Sequence, residues 1–97
     1  MARYIILLNW TDQGIRSIKE SPKRLDTARE LAKSFGCELR DFYLTIGPYD
    51  MVTVLEAPDD ETSAKFMLSL AANGNIRSTT LKALPEDVYR KVIGGLK

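Results

Sequence analysis

The chain has 97 residues, 44% of them hydrophobic and 28% charged, which describes one globular core and excludes a second domain or a disordered chain. Fourteen Lys and Arg against thirteen Asp and Glu leave a net charge of +1, so neither nucleic acid nor an anionic membrane has a strong electrostatic reason to bind. With no histidine and a single cysteine, the chain alone supplies no His-containing triad, no His-bearing or all-Cys metal site and no internal disulfide. The apolar run Tyr4–Leu8 is too short for a secretory h-region, and nothing approaches the ~18 apolar residues of a membrane span. Residues 1–97 therefore read as a single cytoplasmic domain with no cofactor and no bound metal.

Residues Ala2 to Trp10 form the first expected strand. Tyr4, Ile5, Ile6, Leu7 and Leu8 run unbroken instead of alternating, as in a strand buried on both faces. Thr11 and Asp12 suit a helix start, but Gly14 and Pro22 interrupt the next stretch, so a short helical turn precedes a proper helix. Ser21 is expected to cap that helix and Pro22 to take its first position. Leu25, Ala28, Leu31, Ala32 and Phe35 then give it an apolar stripe, and Gly36 ends it. Cys37 to Ile46 reads as the second strand, the Gly47-Pro48-Tyr49-Asp50 turn closes a hairpin, and Met51 to Ala57 is the third. Asp59, Asp60, Glu61 and Thr62 load the start of the next helix, whose stripe is read as Ala64, Met67, Leu68 and Ala71, with Gly74 after its end. Asn75 to Leu84 is the fourth strand. Pro85 opens a last helix carrying the pairs Glu86–Arg90 and Asp87–Lys91.

The order β-α-β-β-α-β plus a terminal helix is the ferredoxin-like α+β arrangement, an antiparallel sheet ordered 4-1-3-2 with both main helices on one face. The other face then carries apolar side chains of strands one and three. Leaving four or five of them in water would forgo about 1.5 to 3 kcal/mol each. A homodimer or higher homo-oligomer, sheet packed against sheet around a partly polar cavity, is the expected cover. Connectivity brings three polar segments to one end of the sheet: Asn9, Trp10 and Thr11; the turn Gly47 to Asp50; and Asn75 with Arg77.

These segments carry a resemblance to a family. Gly47, Tyr49 and Asp50 match the Gly-x-Tyr-Asp turn of the GYD domain family of small, mostly bacterial proteins. Thr11-x-x-Gly14 and Gly74-Asn75-x-Arg77-x-Thr79-Thr80-Leu81 are similar to that family in order and spacing, and the resemblance spans the whole chain. It implies a ferredoxin-like fold of the dimeric α/β-barrel kind, and no established reaction.

The candidate ligand-binding residues are Asn9, Trp10, Tyr43, Tyr49, Asp50 and Arg77. Each has a structural reading beside it. Asp50 either pins its own loop through main-chain N–H groups or works with Tyr49 as a ligand contact or acid/base pair. Arg77 is either the ion-pair partner of Asp50 or a clamp for a small anionic metabolite. Trp10 belongs to core, interface or ligand platform. Cys37 lacks an activating histidine and reads as structural, and Glu56, Asp59, Asp60 and Glu61 lack cation-loop spacing. The seven basic and four acidic residues between Arg16 and Arg40 read as a solvated face. Met51 to Leu55 presents no stacking aromatic, unlike an RNA-recognition strand. Three functions stay open: a small-molecule-binding oligomer using an inter-sheet cavity, a cofactor-independent isomerase or monooxygenase, and a structural oligomer.

Overall fold

The computed structural model describes all 97 residues, Met1–Lys97. Strand β1 (Ala2–Trp10) leads to α1 (Asp12–Arg16), a 3-10 turn (Ile18–Glu20), α2 (Ser21–Ser34), β2 (Glu38–Leu44), β3 (Met51–Ala57), α3 (Asp60–Ala71), β4 (Ile76–Ala83) and α4 (Glu86–Gly94). The sheet order is β2-β3-β1-β4, every neighbour antiparallel, which is the expected ferredoxin-like order read from the other edge.

Side chains of the two central strands divide by parity. Tyr4, Ile6, Leu8, Met51, Thr53, Leu55 and Ala57 are buried beneath α2 and α3, together with Phe66 and Met67 of α3. Ile5, Leu7, Val52 and Val54 alternate with them and are only half-buried on the opposite, open face.

Three details of the helices differ from the expectation. Ser21 is not a cap: the 3-10 turn runs straight into α2, so Ser21 already has helical torsions (φ −55, ψ −43), and Glu20 stands at the N-cap without a side-chain hydrogen bond. In α3 the buried positions are Ser63, Phe66 and Met67, while Leu68 is 72% exposed. Four apolar residues within Phe66–Leu70 fit more than one helical stripe, and packing against the sheet selects the one through Phe66. Asp59 caps α3 as expected, its carboxylate accepting the Thr62 N–H at 2.8 Å. Helix α4 stands clear of the domain, with only Val88 half-buried. Its Glu86–Arg90 pair forms at 2.9 Å, and Asp87 makes no ion pair. No helix is long and apolar enough to cross a membrane.

Candidate functional site

The three polar segments do meet at one end of the sheet, and hydrogen bonds clasp them together. The Thr11 hydroxyl accepts the Gly14 N–H at 3.1 Å and donates to the Gly74 carbonyl at 2.6 Å, while the Thr11 N–H donates to the Asn75 carbonyl at 3.1 Å. Gln13 Nε2 donates to the Asn73 carbonyl and to Asn75 Oδ1 at 2.9 and 3.0 Å. Gly14 is buried so close to the next loop that a Cβ would lie 2.1 Å from the Asn75 carbonyl oxygen. Gly74 has φ +83, a conformation that costs glycine little and other residues more.

Asp50 is bonded on three sides. Its carboxylate accepts the Trp10 N–H at 3.0 Å, its N–H donates to the Leu8 carbonyl at 2.9 Å and to Asn9 Oδ1 at 3.1 Å, and its carbonyl accepts the Thr45 N–H at 2.9 Å. The Tyr49 carbonyl accepts the Thr45 hydroxyl at 2.6 Å. Asp50 thus extends the β1–β3 seam past the last paired residues, Leu8 and Met51, using its side chain where the backbone ladder runs out.

The six candidate residues share this part of the sheet but not one face. Asn9 pairs with Arg77 and Val52 with Tyr43, which places Asn9, Arg77 and Tyr43 on the open face by parity. Trp10 lies on the helical face, Tyr49 is half-buried within the turn, and Asp50 sits in the seam. The expected Asp50–Arg77 ion pair is absent: Arg77 is exposed and makes none. β1 lies between the strands that carry them, and the Asp50 carboxylate is turned onto the Trp10 amide.

What sequence reasoning missed is a cavity of about 540 Å³ between α2 and the sheet. Ile6, Leu8, Trp10, Leu39, Phe42, Phe66 and Ile76 line it from the sheet and α3, and Leu25, Ala28 and Leu31 from α2. Its rim at the clasped end carries Glu20, Lys23, Arg24, Asn73 and Asn75. No signal in the sequence marks it: Ala28, the small residue that lines it from α2, belongs to an ordinary apolar stripe.

The opposite end of the sheet is held by charge. Glu56 meets Arg3 at 3.0 Å and Arg40 at 2.9 Å. Partial desolvation opposes its ionisation, yet the two guanidiniums outweigh it and hold the carboxyl below its ordinary value. The buried Tyr4 hydroxyl donates to Asp60, which also pairs with Lys82 at 2.9 Å. These two partners lower the Asp60 pKa, while burial and then the bond to Asp60 push Tyr4 up to about 12. Cys37 is buried, and that burial raises its thiol pKa.

Comparison with known proteins places this geometry. The family model of the GYD domain matches residues 4–93. A Thermus thermophilus protein described as "Glutamine synthetase and cystathionine beta-lyase binding protein" is 38% identical over 86 residues, covering 88% of this chain and 90% of the relative. Among solved structures, MtbAldR superposes with a TM-score of 0.68 at 17% identity, covering 88% of this chain; the chain spans about half (52%) of that structure. FFRP-DM1 superposes with a TM-score of 0.60 at 19% identity, with 87% of this chain and all of that one covered. At such identities the two structures show a shared fold and no more.

Proposed function

Because the chain belongs to the GYD domain family, we propose that it is a small binding domain that works as a homodimer, sheet against sheet, with metabolic enzymes among its protein partners. The observation that carries the reading is the open face. Ile5, Leu7, Val52 and Val54 form its half-buried centre, Leu81 is 47% and Tyr43 61% exposed, and the Arg3–Glu56–Arg40 cluster stands at one end. An apolar centre with charge confined to the rim is the make-up of a protein interface.

The size of this face also supports a place for α4. Four strands spaced about 4.8 Å apart and some seven residues long make a surface of roughly 19 by 23 Å, short of the about 800 Å² per partner of a standard interface. The apolar surface continues through Ala83 and Leu84 into α4, whose Tyr89, Val92 and Ile93 are 50–58% exposed. A second copy of this chain lying across the sheet reaches that stripe, and α4 supplies the missing area. The relative's name, a binding protein of two enzymes, supports protein partners for the assembled dimer.

Arg77 favours one addition. Unpaired and exposed beside Asn9 on the open face, it would clamp a small anionic metabolite between the sheets, with Tyr43 on the same face. In this reading Asp50, Tyr49 and the Trp10 backbone position that end and do not carry out acid/base chemistry.

Sedimentation equilibrium tests the reading. The wild-type chain is expected to be a dimer at micromolar concentration and Val54→Glu a folded monomer that no longer co-elutes with glutamine synthetase. A wild-type chain that stays monomeric at 100-fold higher concentration overturns it.

A further inference from the structure

The cavity beneath α2 is too large to be a packing imperfection. It is a cleft open on one side and not an enclosed void, and its volume of about 540 Å³ falls within the range of small-molecule sites. It opens where α2 turns the small Ala28, 6% exposed, toward the sheet, leaving Leu39, Phe42 and Trp10 half-buried along the cleft.

The chemistry of the lining narrows the occupant. No buried side-chain nitrogen or oxygen lacks a hydrogen-bond partner, and Thr53, the polar residue at the bottom, already donates to the Arg40 carbonyl at 3.4 Å. A polar group carried deep into the cavity would go unpaired at a cost of about 1–3 kcal/mol, so the inner part of the ligand is hydrocarbon. The rim differs. Arg24 is committed to the Ser17 carbonyl and hydroxyl and to the Gly14 carbonyl, and Asn75 Oδ1 to Gln13. Lys23 and Asn73 are engaged only through their backbone groups, so the Lys23 ammonium and the Asn73 side-chain amide make no hydrogen bond or ion pair within the chain. Glu20 also stands on the rim, and against its one negative charge Lys23 and Arg24 supply two positive ones.

We propose that this cavity binds a medium-chain carboxylate, its hydrocarbon tail beneath α2 and its carboxylate at the rim against Lys23 and the Asn73 side-chain amide. The site lies on the helical face of the sheet, and it does not depend on the dimer proposed for the open face.

Trp10 makes the test direct. It is the chain's one tryptophan and it lines the cavity at the rim end, so a bromine seated there quenches its emission by contact. Titration with 2-bromodecanoate, below the concentration at which it aggregates, is expected to give saturable quenching with one site per chain, reversed by unlabelled decanoate. Decan-1-ol, which lacks the charge, is expected to compete at least threefold more weakly. Lys23→Gln is expected to remove that preference and leave decanol competition unchanged. Ala28→Phe fills the cavity and is expected to abolish quenching with the thermal midpoint kept or raised. Ala28→Leu, a smaller filling with less risk to folding, is expected to weaken binding at least tenfold. Absence of saturable quenching in the wild-type chain overturns the proposal, as does quenching that persists unchanged in the folded Ala28 variants. Decanol competing as well as decanoate overturns the assignment of the carboxylate.

Discussion

The two ends of the sheet are fastened in different ways. At one, Thr11, Gly14, Gly74, Asn75, Asn9 and Asp50 clasp three chain segments through hydrogen bonds to backbone groups. At the other, Arg3, Glu56 and Arg40 form one charged cluster, and Tyr4, Asp60 and Lys82 a second. The clasped end holds Thr11, Gly14, the Gly47 to Asp50 turn, Gly74 and Asn75, most of the residues on which the resemblance to the family rests, and most of these are explained by where the backbone must go. A sequence signature at a loop cluster can thus describe how the chain is pinned. Nearly all the ionic fastening, by contrast, sits where the signature is absent. The clasped end should therefore respond to steric and hydrogen-bond changes, and the charged end to pH.

The largest effect is expected from Gly14→Ala. A methyl group 2.1 Å from the Asn75 carbonyl meets backbone, which cannot rotate away, so the loops after β1 and α3 must separate and their mutual hydrogen bonds stretch. Overpacking of this kind costs about 3 kcal/mol, or roughly 15 °C in the thermal midpoint of a domain of this size, read by calorimetry. A midpoint within a few degrees of wild type would mean that the clasp yields. Asp50→Ala comes next. It leaves the Trp10 N–H without its acceptor in a half-buried seam, at about 1.5 kcal/mol. Asp50→Asn keeps an acceptor oxygen and is expected to lose less than half of that, measured by urea denaturation at pH 7.

Acid should loosen the charged end. Glu56, Asp59 and Asp60 all have pKa values below their ordinary ones. A carboxyl lowered in the folded state adds stability above its unfolded pKa and loses it as pH falls through the folded value. Stability is accordingly expected to be level near neutrality and to decline below about pH 4.5, the ordinary value for Glu56. Glu56→Gln should remove part of that decline, and a decline unchanged in Glu56→Gln would show that the Arg3–Glu56–Arg40 cluster adds nothing.

Much of the fold was legible in the sequence because its signals are local. The unbroken run Tyr4–Leu8 announces a central strand, Pro58 and Asp59 a helix start, and two crossovers of one hand fix the strand order. The convergence of Asn9, Asp50 and Asn75 at one end is a consequence of that order. The facing of Trp10 is not, because the apolar run before it reads the same on either face. Spacing alone puts Leu68 in the stripe of α3, since Phe66, Met67, Leu68 and Leu70 satisfy several helical periods and only packing against the sheet decides among them. The cavity was invisible because it depends on how far α2 stands from the sheet, a distance that no spacing of residues encodes.

The effect that separates the ends most sharply is expected at high pH. Tyr4 is 4% exposed, and its hydroxyl donates to a carboxylate, so its ionised form would be buried beside Asp60. Its pKa rises from 10.0 to about 12. A neutral acid whose pKa is raised on folding keeps its full contribution below the unfolded value and loses it as pH climbs to the folded one. Stability is therefore expected to hold to pH 10 and then to fall between pH 10 and about 12. Tyr4→Phe, which has no proton to lose, should start less stable at pH 7 and show a flatter decline over that interval. Equal slopes for the two chains would place the alkaline loss elsewhere and detach Tyr4 from the charged fastening. A flatter slope in Tyr4→Phe, with Asp50→Asn following wild type, would assign the alkaline sensitivity to the end of the sheet that lacks the signature.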